Sequence, residues 1–221
     1  MSTKGRLLGW LGRWVLRELP VSQVETHGAF RWVTFDGALP DLVAGDKVQV
    51  LVGGDEVRTF TPVPRPGGWG LLVYVRGSDA PAMSWIGALR PGDTARFVGP
   101  QRSIRAPAGP RVVVGDETAA ALGAALAATG DARVVLEVGD PEAARAALAR
   151  AGVAEAIWLV RPSPAGALGD AVRDAAGGAG RAVVVAGGAA LVQRARAELR
   201  AAGRPPDAVR TYWIEGRSGL D

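Results

Sequence analysis

Five consecutive residues, Arg58-Thr59-Phe60-Thr61-Pro62, set a fixed cation, an aromatic plane and two hydroxyls side by side. They follow an apolar run, Val48-Gln49-Val50-Leu51-Val52, and a Gly53-Gly54-Asp55 turn. Alternate residues of an extended chain share a face. Arg58 and Phe60 therefore point one way and Thr59 and Thr61 the other, unless the chain kinks before Pro62. Arginine grips phosphate as a fork, and an aromatic face covers a planar ring. The stretch suits a ligand that is part phosphate and part flat heterocycle, such as a flavin nucleotide. The same spacing fits an ordinary edge strand of a β-domain. A second group, Gly115-Asp116-Glu117-Thr118-Ala119, follows the apolar Arg111-Val112-Val113-Val114. The glycine-rich phosphate loop is absent there, and two carboxylates at a helix start would repel a pyrophosphate. Asp116 as an N-cap with Glu117 in the first turn is favoured by the helix dipole.

Other chemistries are excluded by composition. The 221 residues include no cysteine, so disulfides, thiolate metal sites and cysteine nucleophiles are ruled out. The one histidine, His27, leaves no basis for a histidine metal centre or a Ser-His-Asp triad, and no metal site is expected. His27 sits beside Gly28 in a turn and is expected at the surface. A net charge of +4 suits small anionic ligands, and no aromatic-and-basic pattern of nucleic-acid binding is present. No uninterrupted apolar run of about 18 residues exists to span a membrane. The N-terminal stretch alternates Leu7, Leu8, Trp10, Leu11, Trp14 and Val15 with Lys4, Arg6, Arg13 and Arg17. It is expected to pack on its own protein or a second subunit, or to lie on a membrane surface, and it is not a cleavable signal. The expected protein is cytoplasmic, a monomer or a homodimer.

Two textures position the candidate residues. From Val21 to Phe97 the chain is short-stranded and broken by turns. A hairpin (21–26 and 30–35) and strands over 47–52, 57–61, 69–75 and 94–98, with a short helix over 81–89, predict a six-stranded antiparallel barrel. Arg105-Ala106-Pro107-Ala108-Gly109-Pro110 reads as a linker. Beyond it strands over 111–114, 133–138, 156–160, 182–186 and 209–213 alternate with helices, which predicts a five-stranded parallel α/β domain covered on both faces. The expected domains are 1–108 and 109–221.

A barrel followed by an α/β domain is the order of the ferredoxin reductase-like flavoproteins, and Arg58-Thr59-Phe60-Thr61 resembles their Arg-x-Tyr-Ser/Thr motif. Further stretches resemble the siderophore-interacting branch of that superfamily. They are Gly115-Asp116-Glu117-Thr118-Ala119, the run Asp79-Ala80-Pro81-Ala82-Met83-Ser84-Trp85 with Gly92-Asp93 and Gly99-Pro100, Trp158-Leu159-Val160-Arg161, Ala186-Gly187-Gly188, and Tyr212-Trp213 with Gly216. The matches run in order from about residue 20 to residue 216.

The resemblance implies an FAD-binding barrel of the ferredoxin reductase type, an NAD(P)-binding α/β domain, and electron transfer from NAD(P)H through FAD to a ferric siderophore, releasing Fe(II). It implies that Arg58 pairs with the flavin pyrophosphate, Phe60 stacks on the nucleotide and Thr61 lies by the flavin N5. Thr61, Asp116, Glu117 and Thr118 fall in its catalytic group. Its cofactor-binding group comprises Arg58, Thr59, Phe60 and Thr61; Arg76; Ala82, Met83 and Ser84 at a helix start that would aim N–H groups at an anion; Thr118; Arg161 for a nucleotide 2′-phosphate; and Gly187, Tyr212 and Trp213. Arg217 is a candidate attractant for an anionic siderophore, while Arg194 and Arg196 are expected to be solvated. The sequence departs from the family at Phe60 for Tyr, Arg76 for His, Ala120-Ala121-Leu122 for Ala-Leu-Pro, and Gly188 for an acidic residue. A general flavin or ferredoxin-type reductase, or a binding module that has lost FAD, are alternatives on the same scaffold.

Overall fold

The computed structural model describes residues 16–54, 56–77, 80–153, 155–177 and 180–216. The N-terminal segment up to Val15, Asp55, Asp79 and Arg217 lie outside the described residues. The first half contains β1 (Arg17–His27), β2 (Phe30–Phe35), β3 (Lys47–Gly53), β4 (Glu56–Phe60), β5 (Pro62–Arg65), β6 (Gly68–Tyr74), α1 (Pro81–Ala88) and β7 (Thr94–Gln101). The second contains β8 (Arg111–Asp116), a 3₁₀ turn (Glu117–Ala119), α2 (Ala120–Ala127), β9 (Ala132–Val138), α3 (Pro141–Arg150), β10 (Ala156–Val160), α4 (Ala167–Ala176), β11 (Ala182–Gly188), α5 (Ala189–Ala201) and β12 (Ala208–Trp213).

The first half forms a seven-stranded sheet in the order β4-β3-β7-β1-β2-β6-β5, with antiparallel neighbours throughout. This is one strand more than the six expected. The extra strand is β5, whose Pro62 and Pro64 argue against strand structure in sequence. Proline lacks the N–H that a central strand must donate, and β5 lies on the edge, where that loss is tolerated. Although β4 and β5 are the two ends of the sheet order, only Thr61 separates them in the chain. The curled sheet therefore brings its two edges together at Thr61.

The second half is a parallel sheet in the order β10-β9-β8-β11-β12. Its inner strands are Val-rich and buried because helices cover both faces. The α2 and α3 side chains Leu122, Leu126 and Leu148 join the core on one face, and Leu168, Val172, Leu191 and Leu199 of α4 and α5 fill the other. Chain order reverses between β8 and β11, the switch point at which open α/β sheets bind ligands. Among the described residues no helix is long and apolar enough to cross a membrane.

The two sheets share a core. Phe30, Trp32, Val63 and Leu72 of the antiparallel sheet pack in one cluster with Leu122, Leu126, Leu136 and Leu148 of the α/β half. Every residue of α2 from Ala120 to Leu126 is buried. Its small side chains allow close approach on every side: a Cβ on Gly123 would stand 3.0 Å from Val134. A polar tie lies beside this core, where the Arg150 Nε of α3 donates to both Glu25 carboxylate oxygens of β1, at 2.9 and 2.7 Å. His27 is not the surface residue expected. It is half-buried, 3.8 Å from Glu25 with its Nε2 buried, because the hairpin turn abuts α3 closely enough that a Cβ on Gly28 would stand 2.6 Å from Ala143.

Candidate functional site

Between the two sheets, at the carboxyl ends of β8 and β12 and the kink at Thr61, opens a cleft of about 590 Å³. Arg58, Thr59, Phe60 and Thr61 line it from one side, and Tyr212 and Trp213 from the other. Arg76, Ala82, Met83 and Thr118 complete the expected residues that meet there. The structure thus gathers candidates that are separated by more than two-thirds of the chain. Their positions follow from strand geometry. Thr61 is the seam of the curled sheet, and Tyr212 and Trp213 end the strand beside the switch point.

Several contacts fix the geometry. The Tyr212 hydroxyl is hydrogen-bonded to the Thr61 side chain, joining the last strand of the α/β half to the seam. Burial pushes the Tyr212 phenol up to about 12, with Thr61 pulling the other way. The Arg76 guanidinium carbon lies 4.1 Å from the centre of the Trp213 ring, a cation–π contact. Phe60 meets Trp85 of α1 with ring centres 6.0 Å apart, so its ring is braced from the barrel side. Arg58 pairs with Glu56 and donates to the Val57 carbonyl at 2.9 Å. Tyr74, also on the lining, has its phenol raised by burial first and by the Glu117 charge after it.

Gly188 stands where an acidic residue was expected by resemblance, and packing explains the glycine. A Cβ there would stand 2.6 Å from the Trp213 indole. Gly187 has φ +135°, and a Cβ would meet the Asp116 carboxylate at 2.9 Å. The paired glycines let β11 approach both β8 and β12 beside the cleft.

Asp116, Glu117, Ser84, Arg161 and Gly187 do not line the cleft. Asp116 is buried and caps the 3₁₀ turn as expected. Its carboxylate accepts from the Thr118 amide at 2.9 Å, from the Thr118 hydroxyl, and from the Gly188 amide at 2.8 Å. Glu117 is also buried, accepting from the Gly139 amide at 2.8 Å and pairing with Arg161. Arg161 donates further to the Glu137 carbonyl at 3.0 Å. Burial works against its charge, but the Glu117 contact together with the Asp116 and Glu137 charges outweighs it and raises its pKa. Arg194, expected to be solvated, instead donates to Glu137 at 2.6 Å. Burial pushes the Glu137 carboxyl up, yet the Ser163 and Arg194 hydrogen bonds outweigh it and hold the group below its usual 4.5. At the start of α1, the Met83 and Ser84 amides both bond the Ala80 carbonyl, at 2.8 and 3.1 Å, and Pro81 has no N–H. The amides expected to face an anion are to that extent already engaged, and Ser84 is exposed.

Sequence reasoning missed Lys47, Ser103, Arg210 and Tyr74 on the lining. Arg210 carried a usable signal, since it lies two residues before Tyr212 on the same strand and so shares its face. Lys47 and Ser103 carried none, because neither belongs to a recognisable pattern.

The family model described as "Siderophore-interacting protein" matches residues 110–216. A search of curated proteins finds no match. Among solved structures, the siderophore-interacting protein from Acinetobacter baumannii superposes with a TM-score of 0.71 at 14% identity, covering 92% of each chain. A siderophore utilization protein from T. fusca gives 0.64 at 21%, covering 93% of this chain and 95% of that one. The ferredoxin reductase of carbazole 1,9a-dioxygenase, in its FAD apo form, gives 0.65 at 15%, covering 90% and 68%. The two-sheet architecture is therefore that of the ferredoxin reductase-like proteins. Over residues 110–216 the chain is similar to the siderophore-interacting protein family.

Proposed function

We propose that the protein is a flavin-dependent oxidoreductase that takes electrons from NAD(P)H and delivers them through FAD to a ferric siderophore. In this reading residues 1–108 form the flavin domain, residues 109–221 receive the nicotinamide nucleotide, and the protein works in the cytoplasm, where NAD(P)H is supplied. The observation that carries it is the charge of the cleft. Among the described residues, Lys47, Arg58, Arg76 and Arg210 line it and no carboxylate does. Next to these cations stand Phe60, Tyr74, Tyr212 and Trp213 and the Thr61 hydroxyl. Cations suit a pyrophosphate, and aromatic and hydroxyl groups suit a planar, hydrogen-bonding ring. The residues present therefore fit FAD.

Arg58 and Arg76 would hold the phosphates, Phe60 would cover a ring, and Thr61, oriented by Tyr212, would meet the reactive edge. When bound, a flavin supplies hydride acceptance and one-electron donation. The chain's own part is to bind, to orient and to exclude water. Asp116 ties the 3₁₀ turn to β11 and so places Thr118 at the cleft, while Glu117 secures Arg161 at the end of β10. Among the described residues no group of three or more His, Asp or Glu side chains could hold a metal ion. In this proposal iron arrives with the siderophore and leaves as Fe(II), which hard oxygen ligands hold less tightly than Fe(III). The similarity of residues 110–216 to the siderophore-interacting family favours this acceptor over a general one.

The test is the visible absorbance of the purified protein, followed by Fe(II) trapping. Flavin absorbance that bleaches under NADH or NADPH, and trapped Fe(II) with a ferric siderophore, are the expected results. A colourless protein that takes up no added FAD would sink the flavoenzyme reading. Bleaching without Fe(II) release from any siderophore would leave a general reductase.

A further inference from the structure

The two sheets present four edge strands among the described residues, and three are blunted. Glu56 and Arg58 stand on β4; Pro62, Pro64 and Arg65 on β5; Arg210 on β12. Charges and prolines of this kind keep sheet edges from pairing with other chains. The fourth edge, β10, reads Ala156-Ile157-Trp158-Leu159-Val160 and carries neither. Ala156, Ile157, Trp158 and Leu159 are half-buried, and Val160 is 59% exposed.

We propose that β10 is a self-association surface that pairs antiparallel with β10 of a second copy, making one continuous ten-stranded sheet. The backbone sets the register. The Arg161 amide donates to Val138 of β9, and direction alternates along a strand. Residues 157, 159 and 161 thus turn their amides and carbonyls toward β9, while 156, 158 and 160 turn theirs outward. A two-fold axis at Trp158 uses every outward group. Trp158 faces Trp158 of the second copy, and Ala156 faces Val160.

This register is also self-complementary in charge and shape. Glu155 and Arg161 are each three residues from Trp158, so Glu155 of one copy falls opposite Arg161 of the other, twice. Glu155 is 76% exposed, although it also lies 3.6 Å from Arg133 of its own chain, Arg161 is 44% exposed, and the intrachain side-chain bonds of Arg161 run through Nη2 alone. Ile157 and Leu159 lie on the α4 face and Trp158 on the opposite face, so apolar side chains meet apolar ones on both. Since β10 lies at the far edge from the cleft, pairing leaves the cleft open, and the inference does not rest on the proposed activity.

Sedimentation equilibrium of the full chain across a concentration series tests the surface. A reversible dimer is expected. Val160→Lys places a charge on the edge twice across the two-fold axis and should weaken the dimer about tenfold or more. The register is tested by cross-linking, free of background because the chain has no cysteine. Facing residues of a hydrogen-bonded antiparallel pair have Cα atoms about 5.5 Å apart, within disulfide range. The double variant Ala156→Cys/Val160→Cys should oxidise to a covalent dimer, and either single variant should not. A monomer at every concentration, a dimer indifferent to Val160→Lys, or equal cross-linking by the single variants would overturn the proposal.

Discussion

Arg58 is held in a ready position by its neighbours. Its partner Glu56 and the Val57 carbonyl are both within two residues, so the guanidinium is oriented before any ligand arrives. Replacing it with Ala should weaken FAD binding, since a hydrogen bond to a charged group contributes about 1.5–3 kcal/mol, or roughly 10- to 150-fold. Flavin fluorescence titration measures this, and an unchanged affinity would remove Arg58 from the phosphate role. Gly188 is constrained more severely. A methyl group there meets the Trp213 indole at 2.6 Å, so Gly188→Ala must displace a ring that also carries Arg76. A loss of about 1–3 kcal/mol in chemical denaturation is expected, as for other overpacked sites, together with a change in tryptophan emission.

At the level of elements, α3 is tied to β1 by Arg150 and Glu25. The Arg150 hydrogen bond holds the Glu25 carboxyl below its usual 4.5, against the opposing effect of burial. Glu137, tying β9 to α5 through Arg194, is shifted the same way. A carboxyl whose folded value is depressed contributes stability that is fully present above the unfolded value and is lost as pH falls through the folded one. Stability should therefore be flat above about pH 5 and decline below 4.5. Arg150→Met should reduce the drop between neutral and acid pH, because it removes the larger cause of the Glu25 shift. Denaturant melts across that range would show the difference in slope, and identical pH profiles would mean the tie adds nothing.

For the molecule as a whole, the shared cluster around α2 has a mechanical consequence. Trp32 of the antiparallel sheet and Leu122 and Leu136 of the α/β half belong to one core. Neither half can unfold without uncovering the other's buried side chains. A single cooperative transition is expected, coincident by tryptophan fluorescence and far-UV circular dichroism. Two resolved transitions would show that the halves are energetically separate. The same packing keeps the Thr61 seam opposite Tyr212 and Trp213, so cleft geometry and global stability are linked.

Both layers of the fold are legible in the local pattern of residues. Apolar runs of four to six residues separated by helices leave few arrangements other than a covered parallel sheet, and its five strands fall where their patterns put them. The Asp116 cap was equally local, because a side chain and an amide two residues away need no distant partner. Other features depend on residues far apart in the chain. Pro62–Arg65 became a strand because the edge asks no amide of proline. His27 became half-buried because α3 lies against its hairpin. Arg161 and Arg194 were claimed by Glu117 and Glu137, carboxylates more than twenty residues away in sequence. The cationic character of the described cleft lining likewise depends on Lys47 and Arg210 meeting across two sheets. Periodicity records which face of its own element a residue occupies. It holds no record of which other element that face will meet, and the charge and shape of this cleft are made by those meetings.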